Sequence, residues 1–249
     1  MSGHSKWAQI KRQKGAADAK RGQVFTKLAR EITVAARQGD SDPAANPRLR
    51  LAVQRARDNN MPIDNIERAI KRASGSTEAA NLVEMTLEAY GPGGTAILLQ
   101  ALTDNKNRTV GEVRNVFSRA DCSLGESGCV TWMFEPKGVI VVEAAGVDSE
   151  ELALVAIDAG ADDVKIEGSA VEIHTQPQEM EEVRKALEGQ GIAVSSAELL
   201  QVPTTMITLD EKSALQSLRL LDKLEELDDV QHVFTNADFP EDVLERYQG

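Results

Sequence analysis

The residues of this sequence best suited to do chemistry are cations, and the chemistry they suit is the neutralisation of phosphate. Up to Gly75 there are sixteen Lys and Arg against seven Asp and Glu, which leaves twelve of the 28 basic and thirty-three of the 40 acidic residues for the remainder. A formal net charge of −12 therefore conceals a basic leading segment and a strongly acidic body. Lys6, Lys11, Arg12 and Lys14 stand in a stretch without an acid. Lys20, Lys27, Arg30 and Arg37 recur at helical spacing and predict a solvent-facing cationic stripe, with Arg21 beside it. Arg48, Arg50, Arg55 and Arg57 follow, then Arg68, Lys71 and Arg72. Each phosphate neutralised by such a side chain releases counterions, so the whole set is the candidate nucleic-acid-binding surface. Ordinary solvated faces mix signs, whereas Met1 to Gly15 holds four basic residues and no acid. Trp7, between Lys6 and Lys11, suits either stacking on a base or packing against the chain, whereas Phe25 is in register with Leu28 and Ile32 and reads as core.

Other chemistry finds little support. His4, His174 and His232 lie on different segments with no metal or triad spacing, and Cys122 and Cys129 read as loop and strand packing residues. Acidic runs such as Glu179–Glu182 and Glu225–Asp229 read as solvated helix faces. The run Gly91-Pro92-Gly93-Gly94 lacks the Lys-Ser/Thr of a phosphate-binding loop and joins two strands, which makes it a tight hairpin. Thr103–Arg108 opens a helix, where Asp104, Asn105 or Asn107 could cap and Lys106 and Arg108 could meet an anion. No catalytic residue, metal or cofactor is expected, which leaves carboxylates converging between domains as the one enzymatic alternative.

These cations need positioning elements. Three helices are expected before Gly75. The first runs from Ala16 to Gln38; the second starts at Asn46-Pro47 on a seam of Leu49, Val53 and Ala56. The third follows Asn59-Asn60-Met61-Pro62, with Asp64 and Glu67 as a capping box and Ile63, Ile66 and Ile70 inward. Beyond Ser74–Thr77 strands and helices alternate: a hairpin of Glu84–Tyr90 and Thr95–Thr103, a helix from Arg108 to Ala120 and a strand from Cys129 to Phe134. After Pro136-Lys137-Gly138 the order from Val139 to Gln201 is βαββαβ, closed at Pro203. A helix over Glu211–Leu227 and a strand over Val230–Thr235 follow.

The expected fold class is multi-domain α+β. Residues 1–75 form a helical domain, 76–136 with 204–249 a discontinuous α/β domain, and 137–203 a ferredoxin-like domain inserted into it. No apolar run is long enough for a membrane span, no apolar signal segment follows the first positive charges, and two cysteines suit a reducing compartment. A cytoplasmic monomer with no membrane and no small-molecule substrate is expected.

Longer motifs add a resemblance. Gly3-His4-Ser5-Lys6-Trp7, Asp18-Ala19-Lys20-Arg21, Phe25-Thr26-Lys27-Leu28 and Asn60-Met61-Pro62 with Asp64–Ile70 closely resemble the YebC/PmpR family. Tyr90-Gly91-Pro92-Gly93-Gly94, Leu102–Asn105, Asn107-Arg108-Thr109 and Met133-Phe134 with Lys137-Gly138 continue the match through the body. Two positions depart from the family: Asp121-Cys122 stands where a glycine pair is usual, and Trp132 replaces another residue. The resemblance implies a three-domain fold and a DNA-binding transcriptional regulator. Through the mitochondrial translational activators and the bacterial members linked to ribosomes stalled on proline runs, it equally implies a factor that binds rRNA or tRNA.

Overall fold

The computed structural model describes residues 18–75, 81–143, 148–167 and 170–247. Lys6, Trp7, Lys11, Arg12, Lys14 and the expected helix start at Ala16 lie outside them. The leading segment forms α1 (Asp18–Gln38), α2 (Pro47–Asp58) and α3 (Ile63–Gly75). Their core is rich in alanine, with Ala35, Ala36, Ala52, Ala56 and Ala69 between Leu28, Ile32, Leu49 and Ile66. Small side chains at the contacts let the helix axes come close. Asn46 fixes the start of α2: its amide donates to Ala35 O (2.9 Å) and Asp40 O (2.7 Å), and its oxygen accepts from Leu49 N (3.1 Å). Asn60, at φ 57°, ends that helix, with Met61 N on Ala56 O and Asn60 N on Arg57 O.

The start of α3 differs from expectation. Asp64 stands in its first turn rather than at its N-cap, because the helix begins at Ile63, directly after Pro62. Ile63, the first residue of the helix, is 60% exposed, and Met61 (6%) packs in the helical core instead.

The described residues form two compact units: one ends at Ala56, resumes over Met61–Phe134 and returns at Pro203, and the other comprises Arg57–Asn60 and Glu135–Val202. In the first, β1 (Val83–Tyr90) pairs antiparallel with β2 (Ala96–Thr103), Tyr90 opposite Ala96. The turn between them holds Gly93 at φ 71° and Gly94 at φ 76°, the left-handed region that glycine enters without strain. After α4 (Lys106–Arg119), a short β3 (Ser123–Leu124) pairs with β1, and β9 (Val230–Thr235) pairs with β2, giving the order β3-β1-β2-β9. Ala89, Ile97, Leu99 and Val233 share one face, packed on Val113 and Phe117 of α4 and on Leu218, Leu221 and Leu224 of α7 (Glu211–Glu225). A parallel pair, β8 (Ile207–Thr208) with β10 (Ala237–Asp238), and α8 (Glu241–Arg246) complete the unit.

No strand forms over Cys129–Met133; Thr131–Met133 is a 3₁₀ turn instead. The carboxylate of Glu88 takes the N–H groups of Gly128, Val130 and Thr131 (2.6–2.9 Å), so they are spent before any ladder can use them. Asp121 has φ 55°, a conformation that glycine adopts freely and aspartate tolerates.

The second unit carries β4 (Phe134–Glu143), α5 (Ser149–Asp158), β5 (Asp163–Glu167), β6 (Ala170–Thr175), α6 (Met180–Gly189) and β7 (Val194–Pro203), in sheet order β5-β6-β4-β7. This is the ferredoxin-like arrangement, inserted between Phe134 and Pro203. Pro136-Lys137-Gly138 does not interrupt the chain but lies inside β4. Pro136 precedes the ladder with β6, which begins at Gly138 opposite Thr175, so its missing N–H costs that ladder nothing. The exit and return of the insertion are adjacent, Thr204 N donating to Met133 O (2.9 Å). No helix among the described residues is long and apolar enough to cross a membrane.

Candidate nucleic-acid interface

The expected solvent-facing stripe on α1 is not solvent-facing where its side chains are described. Lys27, Arg30 and Arg37 are each half-buried against their own chain. Lys27 Nζ donates to Glu225 O (2.5 Å), Arg30 Nη1 to Asp228 O (2.7 Å) and Asp229 Oδ1 (2.9 Å), and Arg37 Nη2 to Leu82 O (2.9 Å). Gln23 adds bonds to Glu226 O and Asp228 Oδ1. The physical reason is the run Glu225–Asp229 at the end of α7: its helix-terminal carbonyls and carboxylates form the negative pole of a helix C-terminus, a natural seat for cations. The acidic run expected as a solvated face is thus a docking strip for α1.

At its centre is Asp229, 3% exposed. Its Oδ2 accepts from Arg108 Nη2 (2.8 Å), Thr103 Oγ1 (3.0 Å) and Thr109 Oγ1 (2.7 Å), and Arg30 holds Oδ1. Burial pushes this carboxyl up, but the hydrogen bonds from Arg108, Thr109 and Thr103 outweigh it and hold the group below the usual carboxylate range. At the start of α4, Asn105 is the cap, accepting from Arg108 N (3.1 Å), and Arg108 meets its anion within the chain, on Asp229 and Asp104. The Arg108 guanidinium is stabilised in its charged form by those two partners.

Other candidates are also engaged. Arg48 pairs with Gln38 and Glu84, and Arg50 clamps Pro43 O and Ala44 O (both 3.0 Å). Arg55 bridges Glu31 Oε2 and His232 Nε2 (both 2.9 Å), and His232 stacks on Phe234 with centroids 5.6 Å apart. Arg68 bonds back along α3 to Asp64 O and Asn65. Arg21, Arg57, Lys71 and Arg72 are exposed. Lys20 lies on α1, with its side chain outside the description.

Sequence spacing missed one pairing. His174 and Glu172 are two apart on β6, so they share a face, and His174 Nε2 lies hydrogen-bonded to Glu172 Oε1 with both residues buried. Burial pushes both thiols up, Cys122 beside Asp121 and Cys129 beside Glu88, which disfavours the thiolate. Among the described residues no three His, Cys, Asp or Glu converge to hold a metal ion.

Against known proteins, residues 5–76 match the model of the TACO1/YebC protein N-terminal domain, and residues 82–237 match that of the TACO1/YebC second and third domain. The chain belongs to the TACO1/YebC family. It is 60% identical over 249 residues to a probable transcriptional regulatory protein of Dehalococcoides mccartyi strain 195, covering 100% of this chain and 99% of the relative. A probable transcriptional regulatory protein of Geobacter sulfurreducens is 52% identical over 246 residues, 99% of each. The crystal structure of a conserved hypothetical protein from Aquifex aeolicus superposes with a TM-score of 0.83 at 46% identity, over 90% of this chain and 93% of that one. The helical segment followed by α/β units is the common ground of this YebC-type fold.

Proposed function

We propose that this YebC-family chain is a non-enzymatic, nucleic-acid-binding regulator of gene expression that acts on DNA in the cytoplasm; its relatives are named probable transcriptional regulatory proteins. The reversal of charge at Gly75 carries the reading: an excess of nine cations on one side and of twenty-one anions on the other. An acidic body repels polyanions in general, so a nucleic acid settles only where the cations gather. Phosphate contact falls to Lys6, Lys11, Arg12, Lys14 and Lys20, with Trp7 as a stacking side chain, joined by the exposed Arg21, Arg57, Lys71 and Arg72. Lys27, Arg30 and Arg37 serve instead to seat the helical segment on its own sheet.

One observation favours a second reading, a translation factor on rRNA or tRNA that relieves stalls on proline runs. The cationic side of α1 lies on the strip Glu225–Asp229, so α1 is not free to enter a major groove as a recognition helix. Recognition through backbone and shape suits structured RNA.

The test is affinity for a promoter duplex and for a stem-loop RNA across a salt series, with ribosome co-sedimentation beside it. A linear fall of log affinity with log salt supports phosphate binding. Sequence-dependent duplex binding selects the DNA reading, and salt-sensitive ribosome association selects the RNA reading. Binding to none of the three at low salt ends the proposal.

A further inference from the structure

The acidic body carries its own cationic face, on α4. This helix holds Lys106, Arg108, Arg114 and Arg119 against the single acid Glu112, four of the twelve basic residues found beyond Gly75. Its buried side is Thr109, Val113 and Phe117. The opposite arc, by helical phase, presents Asn107, Gly111, Arg114, Asn115 and Arg119, all exposed. Together with Arg108, Glu112, Val116 and Leu227, four of these (Asn107, Gly111, Asn115 and Arg119) line an open groove of about 510 Å³. Most of the described cationic side chains of the helical segment are engaged by internal bonds. The side chains of Arg114, Arg119, Asn107 and Asn115 make no hydrogen bond or ion pair with any described residue.

Gly111 is the decisive residue. It sits inside a helix, where glycine is a poor choice, and a Cβ built on it meets nothing within 4 Å. Nothing among the described residues therefore requires a glycine there. What a missing side chain does on an exposed helix is let another chain come close to the backbone. With planar amide donors at Asn107 and Asn115 and guanidinium groups at Arg114 and Arg119 around that gap, the partner is an anionic strand with oxygen acceptors at regular spacing. Arg108, at the rim, already holds the carboxylate oxygens of Asp104 and Asp229.

We infer that the exposed arc of α4 around Gly111 is a second phosphodiester-binding surface, on which a nucleic-acid backbone lies against the helix between Arg114 and Arg119. The inference rests on the nucleic-acid reading above and adds a surface in the acidic body to the one in the basic segment. RNA and DNA share the backbone chemistry, and the probes below tell them apart.

The experiment is fluorescence anisotropy of the full chain on a labelled stem-loop RNA and on a DNA duplex of the same sequence, over a salt series. Arg114→Gln with Arg119→Gln removes two phosphate contacts, so the slope of log affinity against log salt becomes shallower by about 1.4 to 1.8. A charge-matched control, Lys185→Gln with Lys212→Gln, leaves that slope unchanged. Gly111→Gln adds no charge, improves helix propensity and fills open space, so its urea midpoint holds or rises while its affinity falls. Opposite signs in stability and affinity are what a structural glycine cannot produce. The probe that loses more affinity identifies the strand that lies on α4. If the unsubstituted chain binds and the α4 variants match the control, the α4 surface is overturned and the nucleic-acid reading stands. If the unsubstituted chain binds neither probe at low salt, that reading falls first and this one with it. Loss of binding to polyglutamate but to neither nucleic acid assigns the face to an acidic protein and overturns it as well.

Discussion

Arg30 and Arg108 hold opposite oxygens of one buried carboxylate, Arg30 Nη1 lying 2.9 Å from Asp229 Oδ1 and Arg108 Nη2 2.8 Å from Oδ2. One of these arginines comes from the helical segment and the other from the first sheet's own helix. The carboxylate between them joins α1, the end of β2, the start of α4 and the turn after α7. This is why the leading helices and the first sheet fall in one compact unit although charge and periodicity both change at Gly75.

Replacing Asp229 by Asn should therefore destabilise the first unit well beyond the loss of an exposed ion pair. The carboxylate is buried, but Arg30 and Arg108 keep 27% and 42% of their side-chain exposure, which tempers the cost. A loss of roughly 2–4 kcal/mol in urea unfolding is expected. A change within about 0.5 kcal/mol, as for ordinary surface substitutions, would show that Asp229 is not a structural node.

The same residue sets part of the acid limb of stability. The folded Asp229 binds its proton less readily than the unfolded one, and Glu88 does the same: burial raises its carboxyl, and the N–H groups of Gly128, Val130 and Thr131 bring it below the ordinary value. Between the folded and unfolded values the unfolded chain binds more protons, so stability rises with pH there. Their contribution is complete above about pH 5 and drains away as pH falls through the lowered values. Asp229→Asn should flatten the slope of unfolding free energy against pH below that point and leave the slope near neutrality unchanged.

Reversing Lys27, Arg30 and Arg37 together to Glu should unfold or loosen the first unit, not merely weaken nucleic-acid binding. Each would face a carbonyl or carboxylate at hydrogen-bond distance, namely Glu225 O, Asp229 Oδ1 and Leu82 O. A thermal midpoint lowered by several degrees is expected. An unchanged midpoint with lost binding would restore the stripe as an interface.

That result also marks how far the residues could be read. The apolar registers were legible because period alone sets them: Ile32 and Leu28 on α1, Leu218, Leu221 and Leu224 on α7, and the βαββαβ order of the insertion. The direction of a cationic stripe was not, because helical phase places Lys27 and Arg30 relative to their own helix and says nothing about an acidic turn two hundred residues away. The strand expected at Cys129 failed for the same kind of reason, since Glu88, distant in sequence, captures the N–H groups that the strand would have needed. His174 and Glu172 were legible in principle, through the two-residue period of a strand.

Gly93→Ala should destabilise on two counts. The residue has φ 71°, and a Cβ would collide with Leu209 Cδ2, a buried side chain of the first core. A loss of roughly 1–3 kcal/mol is expected from backbone strain and collision together. Gly94→Ala shares the positive φ, 76°, but meets nothing within 4 Å, so its loss should be the smaller. Equal losses would mean that the contact with Leu209 relaxes freely.

Glu88→Gln should release the segment after β3 without unfolding the sheet. Gly128 N and Val130 N donate to different oxygens of the carboxylate, and Thr131 N shares one of them. An amide keeps one acceptor and turns an N–H₂ toward the remaining donors, so at least one backbone N–H loses its partner and another faces a like dipole. Tyr90 Oη and Trp132 Nε1 both donate to Cys129 O in the same segment (3.0 and 3.1 Å), so the two side chains should become mobile with it. The cost is roughly 1–3 kcal/mol, carried locally. Amide hydrogen exchange at Gly128, Val130 and Thr131 should accelerate by more than tenfold while Leu98 and Leu99 on β2 stay protected. Uniform acceleration across both sets would mean that Glu88 supports the whole sheet, and no acceleration would mean that these three N–H groups find other acceptors.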